Sequence, residues 1–493
     1  MATTTDAVRG ASSGGGAEPP DDRRMLFGRF GLWLTLVGVV TMLAGTLFGY
    51  DQGVISGALQ FIQADFGLTS FMTEVVTSWV TLGALVGALA AGLLADRLGR
   101  KNTGVLAGVL FMAGAAISAL SPDTAVLVVG RFVVGFGVGV ASVAAPLYAA
   151  EMAPKESRGR FVSTYQLAIT IGILIAYVVD DLLSSSANWR LMLGGAAVPG
   201  LALVLVMLAM PETPRWLMRA GRRADAATSL TKVRGSRGVD DALDEIQEDL
   251  DENTEQATWG EVFGRSMRRP LMVGVGLAVF QQITGINAII YYADEIFASA
   301  GFVTPEEQAT ATLFAVGVVN VLATFIAVAY IDRFGRRPLL FAGLVGMTVS
   351  LLAVGAAFVA LDENATNNGT TPSTVGIITL ISLVVFIGSF AFSMGPIVWT
   401  IISEIYPNRV RGRAVSIATA ANWAAAFLVS QFFLSLIDWI GSTATFWLFA
   451  FFSIVAYVWI WKYVPETKGR SLEEIQELWD DPDPVRRSEQ TSV

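Results

Sequence analysis

The sequence predicts an all-α membrane protein with twelve transmembrane helices arranged as two six-helix repeats. Three observations predict it. Of 493 residues, 53% are hydrophobic and only 15% charged, whereas soluble domains carry about 25% charged residues. Apolar runs long enough to cross a bilayer, about 20 residues each, recur twelve times. Short motifs of the first half then return, in the same order, in the second.

Taken in order, the runs fall near 31–60, 75–95, 103–120, 124–147, 162–182 and 190–210, then 270–298, 308–331, 338–360, 374–402, 412–436 and 443–464. The chain therefore divides into a disordered cytoplasmic tail (1–29), a six-helix half (30–210), a charged interval (211–269), a second half (270–464) and a C-terminal helix and tail (465–493). The tail is rich in Ala, Thr, Ser, Gly and Asp and lacks the basic and apolar regions of a removable signal peptide. Inside the interval, Asp241 to Leu250 has helical periodicity and is expected to form a surface helix; Ser471 to Trp479 reads as a short amphipathic helix.

Loops such as Asp96-Arg97-Leu98-Gly99-Arg100-Lys101 and Arg333-Phe334-Gly335-Arg336-Arg337 gather arginine on one side, while the alternate loops hold almost none, Arg190 excepted. The positive-inside rule places both termini and the interval in the cytoplasm. The first of these loops returns 236 residues later from Asp332; Glu151-x-x-Pro154-x-x-x-Arg158-Gly159-Arg160 returns 253 residues later from Glu404, and Pro211-Glu212-Thr213 returns 254 residues later as Pro465-Glu466-Thr467. Such duplications place a substrate site near the midplane, between the halves.

Composition also excludes chemistry. There is no cysteine and no histidine, so no thiolate nucleophile, disulfide or ordinary transition-metal ligand set is available, and proton chemistry must run on carboxylates. No metal, cofactor, nucleic-acid partner or enzyme activity is expected. Nine acids between Asp240 and Glu255 read as a solvated loop. The glycines at 135, 137 and 139 faintly resemble a nucleotide loop, but inside an apolar span they favour close helix packing.

Two groups of polar residues stand inside the spans. Asp51, in Phe48-Gly49-Tyr50-Asp51-Gln52-Gly53, interrupts the first span, and Arg131 interrupts the fourth. An ionisable residue in a membrane is costly and marks a functional site with a partner to be named; a turn residue outside the bilayer, or a permanent structural ion pair, are the competing readings. The amides Gln281, Gln282 and Asn287 lie in the seventh span with Gly285 between them, a position where the helix can loosen. An amide both donates and accepts, so it satisfies a hydroxyl in either role, which suits an uncharged polyol; helix-to-helix glue is the alternative. Gln166, Asn320 and Asn422 add amides in the fifth, eighth and eleventh spans, and Trp399 follows Gly395-Pro396 in the tenth.

These motifs resemble the sugar porter family of the major facilitator superfamily over roughly residues 30–480. The signatures are Gly130-Arg131-Phe132-Val133-Val134-Gly135-Phe136-Gly137-Val138-Gly139, Pro211-Glu212-Thr213-Pro214-Arg215-Trp216-Leu217, Gln281-Gln282-Ile283-Thr284-Gly285-Ile286-Asn287 and Pro465-Glu466-Thr467-Lys468-Gly469-Arg470. The resemblance implies the major facilitator fold, with Gln166, Gln281, Gln282, Asn287, Asn320, Trp399 and Asn422 around a sugar and Phe48, Tyr291 and Trp423 as wall or gate. It implies that proton-coupled members carry aspartate at position 51, where passive facilitators carry asparagine, so Asp51 and Arg131 form the coupling pair. It also makes Asp96, Arg100, Glu151, Arg158 and Arg160, facing Asp332, Arg336, Glu404 and Arg411, an ion-pair network that closes the cytoplasmic side in the outward-open state. Ile173 departs from the family, since some xylose transporters have glutamine there.

The expected function is alternating-access import of a monosaccharide together with a proton across the cell membrane, by a protein working as a monomer in the lipid bilayer. A passive facilitator, a proton-coupled symporter of inositol or another cyclic polyol, and a membrane sugar sensor are the alternatives. The amides do not choose among glucose, galactose, xylose, arabinose and inositol.

Overall fold

A computed structural model describes residues 31–154, 158–236, 238–252, 258–363, 374–470, 472–480, 485 and 488. The expected N-terminal tail, most of the 361–373 loop and nearly all of the chain after Asp480 lie outside them. The first half consists of α1 (Leu32–Phe66), α2 (Ser70–Leu98), α3 (Arg100–Ala119), α4 (Thr124–Met152), α5 (Arg158–Ser184) and a sixth span built from α6 (Trp189–Gly195) and α7 (Ala197–Ala209). The interval carries α8 (Pro214–Arg219), α9 (Arg223–Arg234), α10 (Val239–Glu252) and α11 (Trp259–Val262). The seventh span is α12 (Arg268–Ile283), α13 (Ile286–Tyr291) and α14 (Ala293–Ser299). The eighth runs from α15 (Pro305–Thr312) through a π-helical stretch, Leu313–Val318, into α16 (Val319–Phe334). After α17 (Arg336–Glu363) come α18 (Thr374–Phe392), α19 (Met394–Glu404), α20 (Asn408–Tyr463) and α21 (Leu472–Asp480).

Eleven stretches among the described residues are long and apolar enough to cross a membrane. One of them, α20, is two spans joined at Gly441, whose φ of 83° breaks the helix, and this makes twelve. The interval holds four short helices where periodicity marks one. The apolar side of α10, with Leu243 and Ile246, packs on Leu217 and Met218 of α8 and Leu230 of α9, so these pieces gain stability from each other rather than from length.

Local chemistry starts the helices where the runs begin. Thr69 accepts from the Met72 N–H and Asp123 from the Val126 N–H, each satisfying a donor that a helix start leaves open. Thr304 and Glu307 close a full capping box ahead of α15, with Pro305 in its first turn.

Small residues bring the spans together. Gly45, Gly49, Gly53 and Gly57 line one face of α1, and a Cβ on Gly53 would lie 2.7 Å from the Ala176 Cβ and 2.9 Å from the Ile173 carbonyl of α5. The two backbones therefore touch along about three helical turns, as small-residue stripes allow. The α4 glycines do the same work: Gly135 and Gly139 lie against Val80 and Ala84 of α2, and Gly137 against Ala107 and Phe111 of α3.

The repeated motifs build the same joint twice. Gly99 and Gly335 turn the chain between consecutive spans at φ 91° and 88°, a region that only glycine enters cheaply. Glu212 accepts the backbone N–H groups of Arg100 (2.9 Å) and Lys101 (3.1 Å) at the start of α3. Glu466 accepts those of Arg336 and Arg337, both at 3.0 Å, at the start of α17. A carboxylate at a helix N-terminus meets open donors and the positive end of the dipole. Burial holds the Glu212 carboxyl above the usual carboxylate range, and the N–H groups of Thr213, Lys101 and Arg100 pull it back. Glu466→Ala is expected to cost roughly 2–4 kcal/mol, since it strips charge-assisted bonds from a buried helix end; Glu466→Gln should lose about half of that, and thermal unfolding in detergent reads both.

The halves are closed against each other at the end away from the arginine-rich loops. Glu74 of α2 accepts from the N–H and hydroxyl of Ser435, both at 2.6 Å. Ser78 donates to Gln431 at 2.6 Å, Tyr177 of α5 to the Ile290 carbonyl at 2.9 Å and Thr310 of α15 to Asp181 at 2.6 Å.

Candidate functional site

Asp51 lies inside α1, 3% exposed, and Arg131 inside α4, 1% exposed. The turn reading of Asp51 fails, because the helix continues for fifteen residues beyond it to Phe66. Arg131 Nη1 donates to Asp51 Oδ1 at 2.5 Å and its Nε to the Val76 carbonyl at 3.3 Å. Its Nη2 is buried and has no hydrogen-bond partner among the described residues. A buried ion pair repays its desolvation only when the remaining donors are satisfied, so this one is incompletely compensated.

The amides come together because the seventh span is broken. Helix α12 ends at Ile283, Gly285 takes φ 98°, and α13 starts at Ile286. Asn287 is thereby brought beside Gln282, five residues back, and donates to its Oε1 at 2.9 Å. Gln282 Nε2 donates to Gln281 Oε1 and to Asn422 Oδ1, both at 3.3 Å, while Asn422 Nδ2 returns a bond to Gln281 Oε1 at 2.8 Å. Gln281 Nε2 meets the carbonyls of Met394 (2.8 Å) and Gly395 (3.2 Å), at the break where Ser393, with φ −124° and ψ −88°, separates α18 from α19. Four of the seven expected sugar residues thus form one buried chain of amide bonds. Each bond is of the kind a hydroxyl can replace.

Gln52 extends the chain and is not among the expected site residues. Its Nε2 donates to Asn287 Oδ1 at 3.3 Å, and its side chain also bonds Tyr291. Gln52 follows Asp51 directly, so one turn of α1 holds both the ion pair and the entrance to the amide cluster. The signal that could find it is a second polar residue in the same apolar span. Phe48, one turn earlier, packs at a tilt against Trp423 with ring centroids 5.2 Å apart.

Gln166 and Trp399 are half-buried on α5 and α19, and Asn320 is buried on α16; all three lie outside this chain of hydrogen bonds. Ile173 is buried against the Gly49 and Gly53 backbone of α1. At the arginine-rich end, Arg100 pairs with Glu151 at 3.1 Å and Asp96 at 3.2 Å, and Arg336 with Glu404 at 3.0 Å. Each pair stays within its own half. Arg411 differs from expectation in donating to the Tyr406 carbonyl, at 3.0 and 3.1 Å, not to a carboxylate. The side chains of Arg158, Arg160 and Asp332 lie outside the described residues.

Three further buried acids and one half-buried acid at the same seam fall outside the expected set. Glu74, Asp180 and Asp294 are almost fully buried, and Glu295 lies beside Gln63. Asp180 and Asp294 stand inside the runs drawn from hydropathy, so the rule that marks Asp51 marks them equally.

The family model for sugar (and other) transporters matches residues 37–479. The arabinose-proton symporter of Escherichia coli (strain K12) is 40% identical over 442 residues, covering 89% of this chain and 92% of that one. The galactose-proton symporter of the same strain is 39% identical over 436 residues, covering 88% and 92%. Among solved structures, the inward-open xylose transporter of E. coli superposes with a TM-score of 0.76 at 31% identity, covering 91% of this chain and all of that one. With two six-helix halves of the major facilitator fold, a buried amide cluster between them and this match over nearly its whole length, the chain belongs to the sugar transporter family.

Proposed function

We propose that the protein imports a monosaccharide together with a proton, by alternating access, with Asp51 as the proton carrier and the amide cluster as the sugar site. One observation carries the reading: Asp51 and Gln52 are consecutive on α1, the first paired with Arg131 and the second bonded to Asn287 and Tyr291. Protonation of Asp51 releases Arg131 and shifts α1, and any shift of α1 moves the Gln52 bond to the sugar amides. Sugar and proton then favour the same rearrangement, which is what coupling requires. Gln281, Gln282, Asn287 and Asn422 bind hydroxyls, helped from flanking helices by Gln166, Asn320 and Trp399, while Phe48, Tyr291 and Trp423 form the wall. The relatives, transporters of arabinose, galactose and xylose, support an aldopentose or aldohexose as the substrate class.

With the arginine-rich loops in the cytoplasm, the closed seam faces outward. The charges of Arg100, Glu151, Arg336 and Glu404, held here within each half, are then available to join the halves when the outside opens.

The test is uptake of labelled arabinose, xylose, galactose, glucose and inositol into proteoliposomes, with and without an inward proton gradient. One aldose should accumulate above its external concentration only with the gradient. Uptake that merely equilibrates and ignores pH means a facilitator; movement of inositol alone overturns the monosaccharide assignment.

A further inference from the structure

Away from Asp51, two buried carboxylates from opposite halves stand at the closed seam. Asp180, on α5 of the first half, and Asp294, on α14 of the second, are each 2% exposed. Consecutive residues of α1 receive them: Ser56 donates to Asp294 Oδ1 at 3.1 Å, and the Gly57 N–H donates to Asp180 Oδ2 at 3.3 Å. Thr312 adds a second hydroxyl to the same Asp294 oxygen at 2.5 Å. The other oxygens, Asp180 Oδ1 and Asp294 Oδ2, are buried with no hydrogen-bond partner among the described residues. Asp180 lies in the field of Asp294. The remaining titratable groups facing the two acids are Tyr50 on α1, Tyr177 and Asp181 on α5 and Glu295 on α14, and none of them is a cation.

We propose that Asp180 and Asp294 form a second proton-binding site, and that the outer seam closes only around a proton held there. The site is distinct from the Asp51–Arg131 pair, and the proposal needs no substrate and no role for Asp51. Two ionised carboxylates in one another's field in a dry interface with no cation repel one another and lose their hydration; a proton added from water to one of the unpartnered oxygens removes one of the charges. When the seam opens, water reaches both acids and the proton can leave. A bound sodium ion fits the geometry less well. The two hydroxyls nearest the acids direct their protons at one oxygen of Asp294, and Ser56 Oγ also accepts the Asp294 N–H, which takes up one of its lone pairs; a metal would need about six oxygens.

The chain contains no cysteine, so spin labels can be attached at Leu120→Cys and Val303→Cys, exposed positions at the seam end of the two halves. Distances between them would be measured by electron paramagnetic resonance on the full-length protein in lipid nanodiscs from about pH 5.5 to 8.5, a range that brackets the titration of buried carboxyl groups. The short-distance, closed population should fall as pH rises. In the Asp180→Asn/Asp294→Asn double variant it should stay high throughout, with a closed-to-open ratio about tenfold above the parent's at the alkaline end. The parental response should persist in an Asp51→Asn background. The proposal is overturned if the pH response survives the double substitution, if Asp51→Asn alone abolishes it, or if closure follows added sodium at constant pH. Should the double variant fail to fold, the parent still decides, since closure independent of pH is enough to sink the idea; Asp294→Asn alone supplies the second reading, because its amide oxygen can still accept from Ser56 and Thr312.

Discussion

Asp51→Asn is expected to abolish uphill uptake while leaving sugar exchange close to its original rate. Asparagine is the neutral counterpart of the protonated acid, so the pairing with Arg131 found in the structure is permanently weakened and the helices can still rearrange around sugar. Nothing at that position can take up or release a proton. A membrane potential of about 100 mV is worth about 2.3 kcal/mol per charge, which lets one coupled proton hold a sugar at roughly fiftyfold its external level. The variant should drop to onefold, with counterflow preserved. Loss of both activities would show that the pair holds the fold together and does not carry the coupled proton. That outcome is physically open, because breaking a buried pair costs about 3–5 kcal/mol. Retained accumulation would move the carrier elsewhere, with the buried acids of the seam next in line.

Asn287→Ala is expected to raise the half-saturation concentration of sugar about a hundredfold. Asn287 is where the two parts of the site join, donating to Gln282 and accepting from Gln52. Its removal leaves two buried amides short of a partner as well as depriving the sugar of its own bonds, and sites built to hydrogen-bond a hydroxyl lose orders of magnitude in affinity when the match fails. Counterflow kinetics measures the effect without any contribution from the gradient. An unchanged half-saturation would mean that the amides join helices and hold no ligand.

Much of this is legible in the chain because it is written locally. Spans announce themselves by an unbroken apolar run, and Gly285 between Gln282 and Asn287 marks a helix break by residue type alone. The break at Ser393 is announced by Gly395-Pro396 just after it, since proline removes a backbone donor and crowds the preceding turn. Gln52 is hidden beside Asp51 because its value depends on which face of α1 points to the other half, and that is set by the contact of α1 with α5. Gln166, Asn320 and Trp399 are grouped with the other sugar residues on resemblance alone. Whether residues on α5, α16 and α19 meet the amides depends on how the two halves are tilted, a quantity no local pattern encodes. Repeat symmetry assigns Arg411 to a network of charges, yet the carbonyl of Tyr406 lies closer to hand.

The glycine face of α1 has a mechanical consequence. A helix pressed backbone-to-backbone on its neighbour cannot absorb a disturbance by sliding side chains past each other, so α1 and α5 tip as a single stiff lever. From position 51 to Ser56 the arm measures about 7.5 Å, and a tilt of about 10° carries Ser56 roughly 1.3 Å. Hydrogen bonds do not stretch that far. On the proposed mechanism, a small motion where Arg131 lets go is thereby transmitted to the Ser56–Asp294 contact of the seam, and loss of the proton held by the seam acids is what allows that contact to part.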